Sequence, residues 1–116
     1  MIKNLKIPIY HGTLKIMQFK SLDEIPKDYL GDYKDFETRG NDAIAYWYDD
    51  KNLYRYYWMA FKEKTSPECI AHESLHTVNY IFKDRQVDYN TSNDEHAAYL
   101  LGWIVKMCHK YLKGVL

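Results

Sequence analysis

"TSPECIAHESLHTVNYIF" occupies residues 65–82, and its periodicity decides the fold. Thr65 or Ser66 suits an N-cap, Pro67 the first helical position and Glu68 the electropositive first turn. Ala71, Leu75, Val78 and Phe82 then recur at helical spacing, with Ile70 and Ile81 beside them. The pattern predicts a helix from about 66 to 83 with that apolar face buried.

The chain before this helix has a different texture. "AIAYWYDDKNLYRYYWMAF" (43–61) is rich in the aromatic and β-branched residues of strands. Asp49-Asp50-Lys51-Asn52 breaks it midway and reads as a hairpin turn. "LKIPIYHGTLKIMQF" (5–19) reads as two shorter strands turning near His11-Gly12. On its second arm Leu14, Ile16 and Gln18 stand against Lys15, Met17 and Phe19. Pro8 marks the first arm as an edge strand or a bulge. Residues 20–42 carry Pro26, Gly31 and Gly40 and read as a loop with one helical turn near 27–30. After the helix, "DRQVDYNTSN" is a loop, and Ser92 or Thr91 is placed to cap a last helix over about 93–112. Two hairpins followed by two helices predict an α+β fold, with both helices packed on one antiparallel sheet. At 116 residues the chain suffices for a single domain, 1–116.

Composition narrows the classes of function. Sixteen basic and sixteen acidic side chains cancel, so no nucleic-acid partner is expected. No segment approaches a membrane span, and the N-terminus lacks the pattern of a signal peptide, so a soluble cytoplasmic protein is expected. Cys69 and Cys108 each fall within an apolar helical pattern and read as small packed hydrophobes.

The helix over 66–83 carries His72, Glu73 and His76 in the order H-E-x-x-H. At about 100° per residue the two histidines lie about 40° apart on one face, so both imidazoles can reach one ion. Glu73 is turned by about 100° from His72, outside the ligand pair but able to take a proton from an attacking water and pass it to a leaving amine. The plain alternative is a helix flank on which two histidines only make hydrogen bonds. A catalytic zinc ordinarily takes three protein ligands plus water. Asn79 and Phe82 stand where a longer H-E-x-x-H-x-x-G-x-x-H motif would have its glycine and third histidine, so a third ligand has to come from elsewhere. The last helix opens "NDEHAAYLLG" (93–102), with Glu95 lying 19 residues after His76.

His72, Glu73 and His76 followed by an acid on a second helix resemble the thermolysin-type gluzincins. "EHAAYLLG" is similar to the third-ligand helix of small bacterial and phage metallopeptidase-like proteins of the ImmA/IrrE group, in which a Glu precedes an Ala-aromatic pair. The resemblance covers roughly residues 66–105. It implies a minimal zincin-like metallopeptidase domain, with Zn2+ held by His72, His76 and Glu95, Glu73 as general base, Ala98-Tyr99 as the pair, and a peptide or protein as substrate. His96 as third ligand would instead resemble the SprT-like proteases, and Asp94 is a further alternative. Glu95 also shares a stripe with the small residues Ala98 and Gly102, which would let the two helices approach closely. Glu95 has a bland reading too, as a capping-box acid paired with Ser92.

The expected function is zinc-dependent peptide hydrolysis. The competing expectation is an inactive zinc-binding relic serving as a protein-interaction module. Asn79 is a candidate to orient a ligand. Tyr99, His109, His11 and Arg85 are candidates to stabilise an oxyanion. "YRYYWMAF" (54–61) is either a sheet edge able to take up an extended peptide or a central strand with aromatics on both faces. Oligomeric state is not legible.

Overall fold

A computed structural model describes residues 1–30 and 42–116; Gly31 and Gly40 of the expected loop lie outside them. Strands β1 (Ile2–Lys6) and β2 (Thr13–Phe19) are followed by short 3-10 turns at Leu22–Glu24 and Lys27–Tyr29. Then come β3 (Ala43–Asp49), β4 (Arg55–Lys62) and helices α1 (Pro67–Asp84) and α2 (Glu95–Tyr111). The α+β expectation holds: two hairpins, then two helices. Among the described residues no helix is long and apolar enough to cross a membrane.

The strands lie in the order β1-β2-β4-β3. Each hairpin is antiparallel, and the two join through a parallel ladder from Thr13↔Tyr56 to Phe19↔Lys62, so the sheet as a whole is mixed. Local turns impose the antiparallel pairs. The Asp50 carboxylate accepts from the backbone N–H groups of Asn52 and Tyr54 at 2.8 and 3.0 Å and closes the second hairpin. Pro8 falls just after β1, which is an edge strand. The segment 55–62 is central, bonded to β2 on one side and to β3 on the other, so among the described residues β3 forms the second edge.

Both faces of the sheet are covered, which is why β2 and β4 read as nearly continuous apolar runs. Leu14, Ile16, Tyr57, Met59 and Phe61 face the helices and pack with Ile70, Val78, Ile81, Phe82, Ile104 and Cys108. Met17, Trp58 and Ala60 face the other way, under Leu22, Ile25 and Leu30. The Trp58 indole N–H donates to the Tyr29 carbonyl at 3.0 Å and fixes this lid. Burying each large side chain here contributes about 1.5–3 kcal/mol. Gln18 ends the helix-facing stripe of β2. Its amide nitrogen donates to the Lys113 carbonyl at 2.7 Å and reaches those of Lys62 and Glu63 at 3.3 and 3.2 Å. The Lys113 N–H donates back to its oxygen at 3.0 Å, tying the C-terminal segment to the sheet.

Ser66 caps α1, accepting from the Cys69 N–H at 3.2 Å. The buried face of α1 differs from the expected one. Ala71 and Leu75 are exposed, and Ser74 and Thr77 are buried in their place. The stripe centred on Ile70, Ser74 and Ile81 meets the sheet, and Thr77 satisfies its own hydroxyl by donating to the Glu73 carbonyl at 2.9 Å. α2 starts later than expected. Asp94 is its N-cap and makes no side-chain cap bond, while Ser92 sits in a turn, its N–H donating to the Asn90 side chain at 2.8 Å. Ser92 therefore pairs with no capping-box acid. Both cysteines are free; Cys108 is buried, which pushes its thiol up to about 12.

The far end of α1 is pinned to the sheet by charge. Arg55 holds Asp49 through two bonds of 2.7 and 2.9 Å and also reaches Asp84 at 3.1 Å. The Tyr57 hydroxyl donates to Asp84 at 2.6 Å.

Two outcomes test this packing. Gln18→Leu strands several buried backbone groups and should lower the unfolding free energy by about 2–3 kcal/mol in urea titrations. Gly102 has open space where a Cβ would point, so α2 does not approach α1 through it. Gly102→Ala should stabilise the protein by about 0.5–1 kcal/mol, as in any exposed helix interior; a loss of stability would mean a close helix contact there.

Candidate metal centre

α1 sets His72 and His76 one turn apart on its exposed side. Their Nε2 atoms lie 3.2 Å apart and the rings meet edge to face, with centroids 4.9 Å apart. Two nitrogens each about 2.0–2.1 Å from one ion, at the tetrahedral angle, would be separated by about 3.3–3.4 Å. The imidazole pair fits two corners of a tetrahedral zinc site, and the same 3.2 Å is the length of a hydrogen bond between the two rings, as the plain reading of a helix flank expects.

Glu73 points elsewhere, toward β3. Burial pushes its carboxyl group up, while His72, His76 and a hydrogen bond from the Ala45 backbone N–H pull it down. The result is a half-buried carboxyl group beside the imidazoles, with its proton affinity raised.

The register of β3 explains how it meets this carboxylate. The Lys62 N–H donates to the Asp42 carbonyl and the Asp50 N–H to the Tyr54 carbonyl. Even-numbered residues of β3 therefore bond to β4, and Ala43, Ala45, Trp47 and Asp49 turn their backbone groups to the outer side of the strand. The Ala45 carbonyl accepts from the Tyr80 hydroxyl at 3.4 Å, and the Ala45 N–H is the backbone group that draws the Glu73 carboxyl down. Glu73 and Tyr80 are seven residues apart, hence on one stripe of α1.

Asn79 lies one turn beyond His76, and its side-chain oxygen accepts from the Tyr89 hydroxyl at 2.6 Å. Tyr89, on the loop between the helices, also packs edge-on against Phe82. Asn79 is thus anchored by a loop residue and is exposed on the same stripe as the imidazoles.

Asp94, Glu95 and His96 stand at the start of α2, which runs antiparallel to α1 and begins near its C-terminal end. The His96 ring stacks on Phe82 with centroids 5.4 Å apart, and its Nε2 lies 3.2 Å from the Asp88 carbonyl. Glu95 is exposed, on the side of α2 away from its buried face of Ala97, Leu100, Ile104 and Cys108. Among the described residues no three His, Cys, Asp or Glu side chains converge as a metal-binding group. His72, Glu73 and His76 are brought together; Glu95, His96 and Asp94 are not brought to them.

Several weaker candidates have structural roles. Arg85 donates to the carbonyls of Tyr10 and His11 at 2.8 and 3.3 Å and so fastens the β1–β2 loop to the end of α1. Tyr99 is 74% exposed. It borders a cavity of about 300 Å³ lined also by Pro8, Ile9, Tyr10, His96 and Trp103. The chain matches no protein-family model, no curated protein and no solved structure.

Sequence reasoning missed Ala45, Tyr80 and Tyr89. The seven-residue spacing of Glu73 and Tyr80 was a usable signal for Tyr80. Ala45 had none, because its role depends on which strand is at the edge. The Asn79–Tyr89 bond should show in a double-mutant cycle of Asn79→Ala and Tyr89→Phe, with a coupling of about 0.5–1.5 kcal/mol in thermal or urea unfolding. Zero coupling would mean that the loop does not dock on α1.

Proposed function

We propose that the protein is a zinc-dependent metallopeptidase. The observation that carries this reading is the 3.2 Å separation of the His72 and His76 Nε2 atoms, close to that of two ligands of one tetrahedral ion. A Zn2+ ion bound there supplies Lewis acidity to the substrate carbonyl and lowers the pKa of the attacking water. His72 and His76 hold the ion from one rigid helix. Glu73 takes the proton from the attacking water and returns it to the leaving amine nitrogen as the peptide bond breaks. Its raised proton affinity, caused first by burial, suits both transfers.

Glu95 is the proposed third ligand. His96 is engaged by Phe82 and Asp88, and Asp94 is the N-cap of α2, which favours Glu95 among the three. Among the described residues no strand pairs with the outer side of β3, which supports a peptide as substrate, since outward N–H and C=O groups of such a strand can pair with an extended chain. Two unpaired cysteines support a reducing compartment, the cytoplasm. The lack of a convergent third ligand among the described residues favours one second reading, a zinc-binding relic that serves as an interaction module.

Metal analysis of the purified protein should find about one zinc per chain. His76→Ala should lower zinc affinity by more than roughly 100-fold, beyond the range of an outer-shell change. Glu95→Ala should do likewise and His96→Ala should not. Glu73→Gln should keep zinc and lower peptide hydrolysis by roughly 10²–10⁴-fold. A wild-type protein that binds no zinc would overturn the metallopeptidase reading. One that binds zinc but cleaves no peptide, with or without Glu73, would be the interaction module.

A further inference from the structure

The cavity of about 300 Å³ beside α2 lies between two fixed walls. His96, Tyr99, Leu100 and Trp103 recur at i, i+3, i+4 and i+7 and form one stripe of the helix. Residues 8–10 of the β1–β2 loop line the cavity with them. That loop is held in a costly shape. Ile9 and His11 have φ of 65° and 60°, and a positive φ is uncommon for any side chain and strained for a β-branched one. Hydrogen bonds hold it there: the Ile7 N–H donates to the Gly12 carbonyl at 3.0 Å and Arg85 to that of Tyr10 at 2.8 Å. The Tyr10 and His96 rings both pack on Phe82, with centroids at 5.1 and 5.4 Å, so one core residue sets the spacing of the two walls. The strain brings the fold no burial, since Ile9 is left 83% exposed at the cavity. The cavity sits at the β1–β2 turn, whereas Asp42 bonds to Lys62 at the opposite end of the sheet.

The electrostatics of the cavity select its occupant. Elsewhere the chain covers aromatic rings with its own cations. Arg55 lies 3.7 Å from the Trp47 centroid, Lys15 4.9 Å from that of Tyr56 and Lys3 4.8 Å from that of Tyr111. Tyr99 and Trp103 have neither a cation nor another ring over them among the described residues. No Lys, Arg, Asp or Glu lines the cavity. Exposed acids stand beside it: Asp94 is two residues before His96, and the Asp88 carbonyl lies 3.2 Å from the His96 ring. Neither acid forms an ion pair among the described residues. Aromatic faces are electron-rich and attract a cation, best one that leaves water easily, as a methylated ammonium group does. The volume is at the lower end of ligand pockets, which suits a small compound. We infer that this cavity binds a free methylated ammonium compound of choline size, its cationic head against the Tyr10, Tyr99 and Trp103 rings and its methyl groups against Ile9 and Leu100. The inference does not depend on the metal reading.

Calorimetric titration of the whole chain with choline chloride, at constant ionic strength, should show one saturable site. The neutral isostere 3,3-dimethylbutan-1-ol has the same shape without the charge. It should bind about two- to thirtyfold more weakly, the range of a cation–π contact from exposed to desolvated. The Trp103 indole N–H resonance should shift with choline while those of Trp47 and Trp58 stay in place. Tyr99→Leu, at an exposed position, should weaken choline binding about two- to tenfold and leave the alcohol unchanged. Ile9→Gly removes apolar surface and no ring, so it should weaken both compounds alike. Alcohol binding as tight as choline would make the cavity a plain apolar hole and overturn the cation. A folded Tyr99→Leu protein that binds choline as wild type does would overturn the role of the rings. Shifts confined to Trp47 or Trp58 would overturn the site. So would a wild-type protein that takes up a trimethyllysine peptide and not choline, because the cavity would then read a modified chain.

Discussion

The parallel ladder between β2 and β4 is the constraint on which the rest of the molecule depends. It joins two hairpins that would each be marginal alone and makes one sheet whose two central strands are buried on both faces. By placing β4 inside, it leaves β3 outside. Because β4 leads into α1 through the short segment 63–66, the helix folds back along the sheet and lies against β3 and β4. The Asp49–Arg55–Asp84 network then fixes the far end of the helix to the β3–β4 turn. With both ends held, the rotation of α1 about its own axis is set.

That rotation distributes the chemistry. Ile70, Ser74, Val78 and Ile81 go to the core, Glu73 and Tyr80 to the edge of β3, and His72 and His76 to the outside. Rotating α1 by one residue would bury an imidazole or withdraw Glu73 from Ala45. A serine and a threonine in the buried stripe where leucine would pack better are consistent with a helix placed by its flanks as well as by its apolar face. Leu75, exposed beside the histidines, follows from the same placement.

Much of this was legible in the sequence wherever the determinants are local. Ser66-Pro67 marked the start of α1 to within a residue, Asp50 and Asn52 marked the hairpin turn, and H-E-x-x-H fixed three site residues whose spacing alone brings them together. What failed to show was set at long range. The parallel joining of the hairpins has no signature in either hairpin, so Pro8 could mark β1 as an edge but nothing named β3 or Ala45. The buried face of α1 was misjudged by hydrophobicity because Thr77 hides its polarity in a backbone bond, and Leu75 offers apolar surface that nothing covers. The start of α2 was set two residues early because Asn90 captures Ser92 in a turn. That shift puts Glu95 at the first helical residue instead of within the first turns.

The position of Glu95 bears on how a third ligand is recruited. The histidine pair needs no rearrangement, since a helical turn fixes its spacing and tertiary contacts fix the helix. A ligand on α2 is held by different forces: the helix is anchored through Ala97, Leu100, Ile104 and Cys108, all C-terminal to Glu95. The N-terminal N–H groups of a helix have no partners within it, and Asp94 adds no side-chain bond to restrain them. The first turn is therefore the part of α2 that costs least to re-aim, far less than moving a buried residue such as Ile104. His96, one residue later, is already tied to Phe82 and the Asp88 carbonyl, so recruiting it would break two contacts. If an acid from α2 completes the site, physical cost favours the exposed one at the end of the helix over His96 beside it.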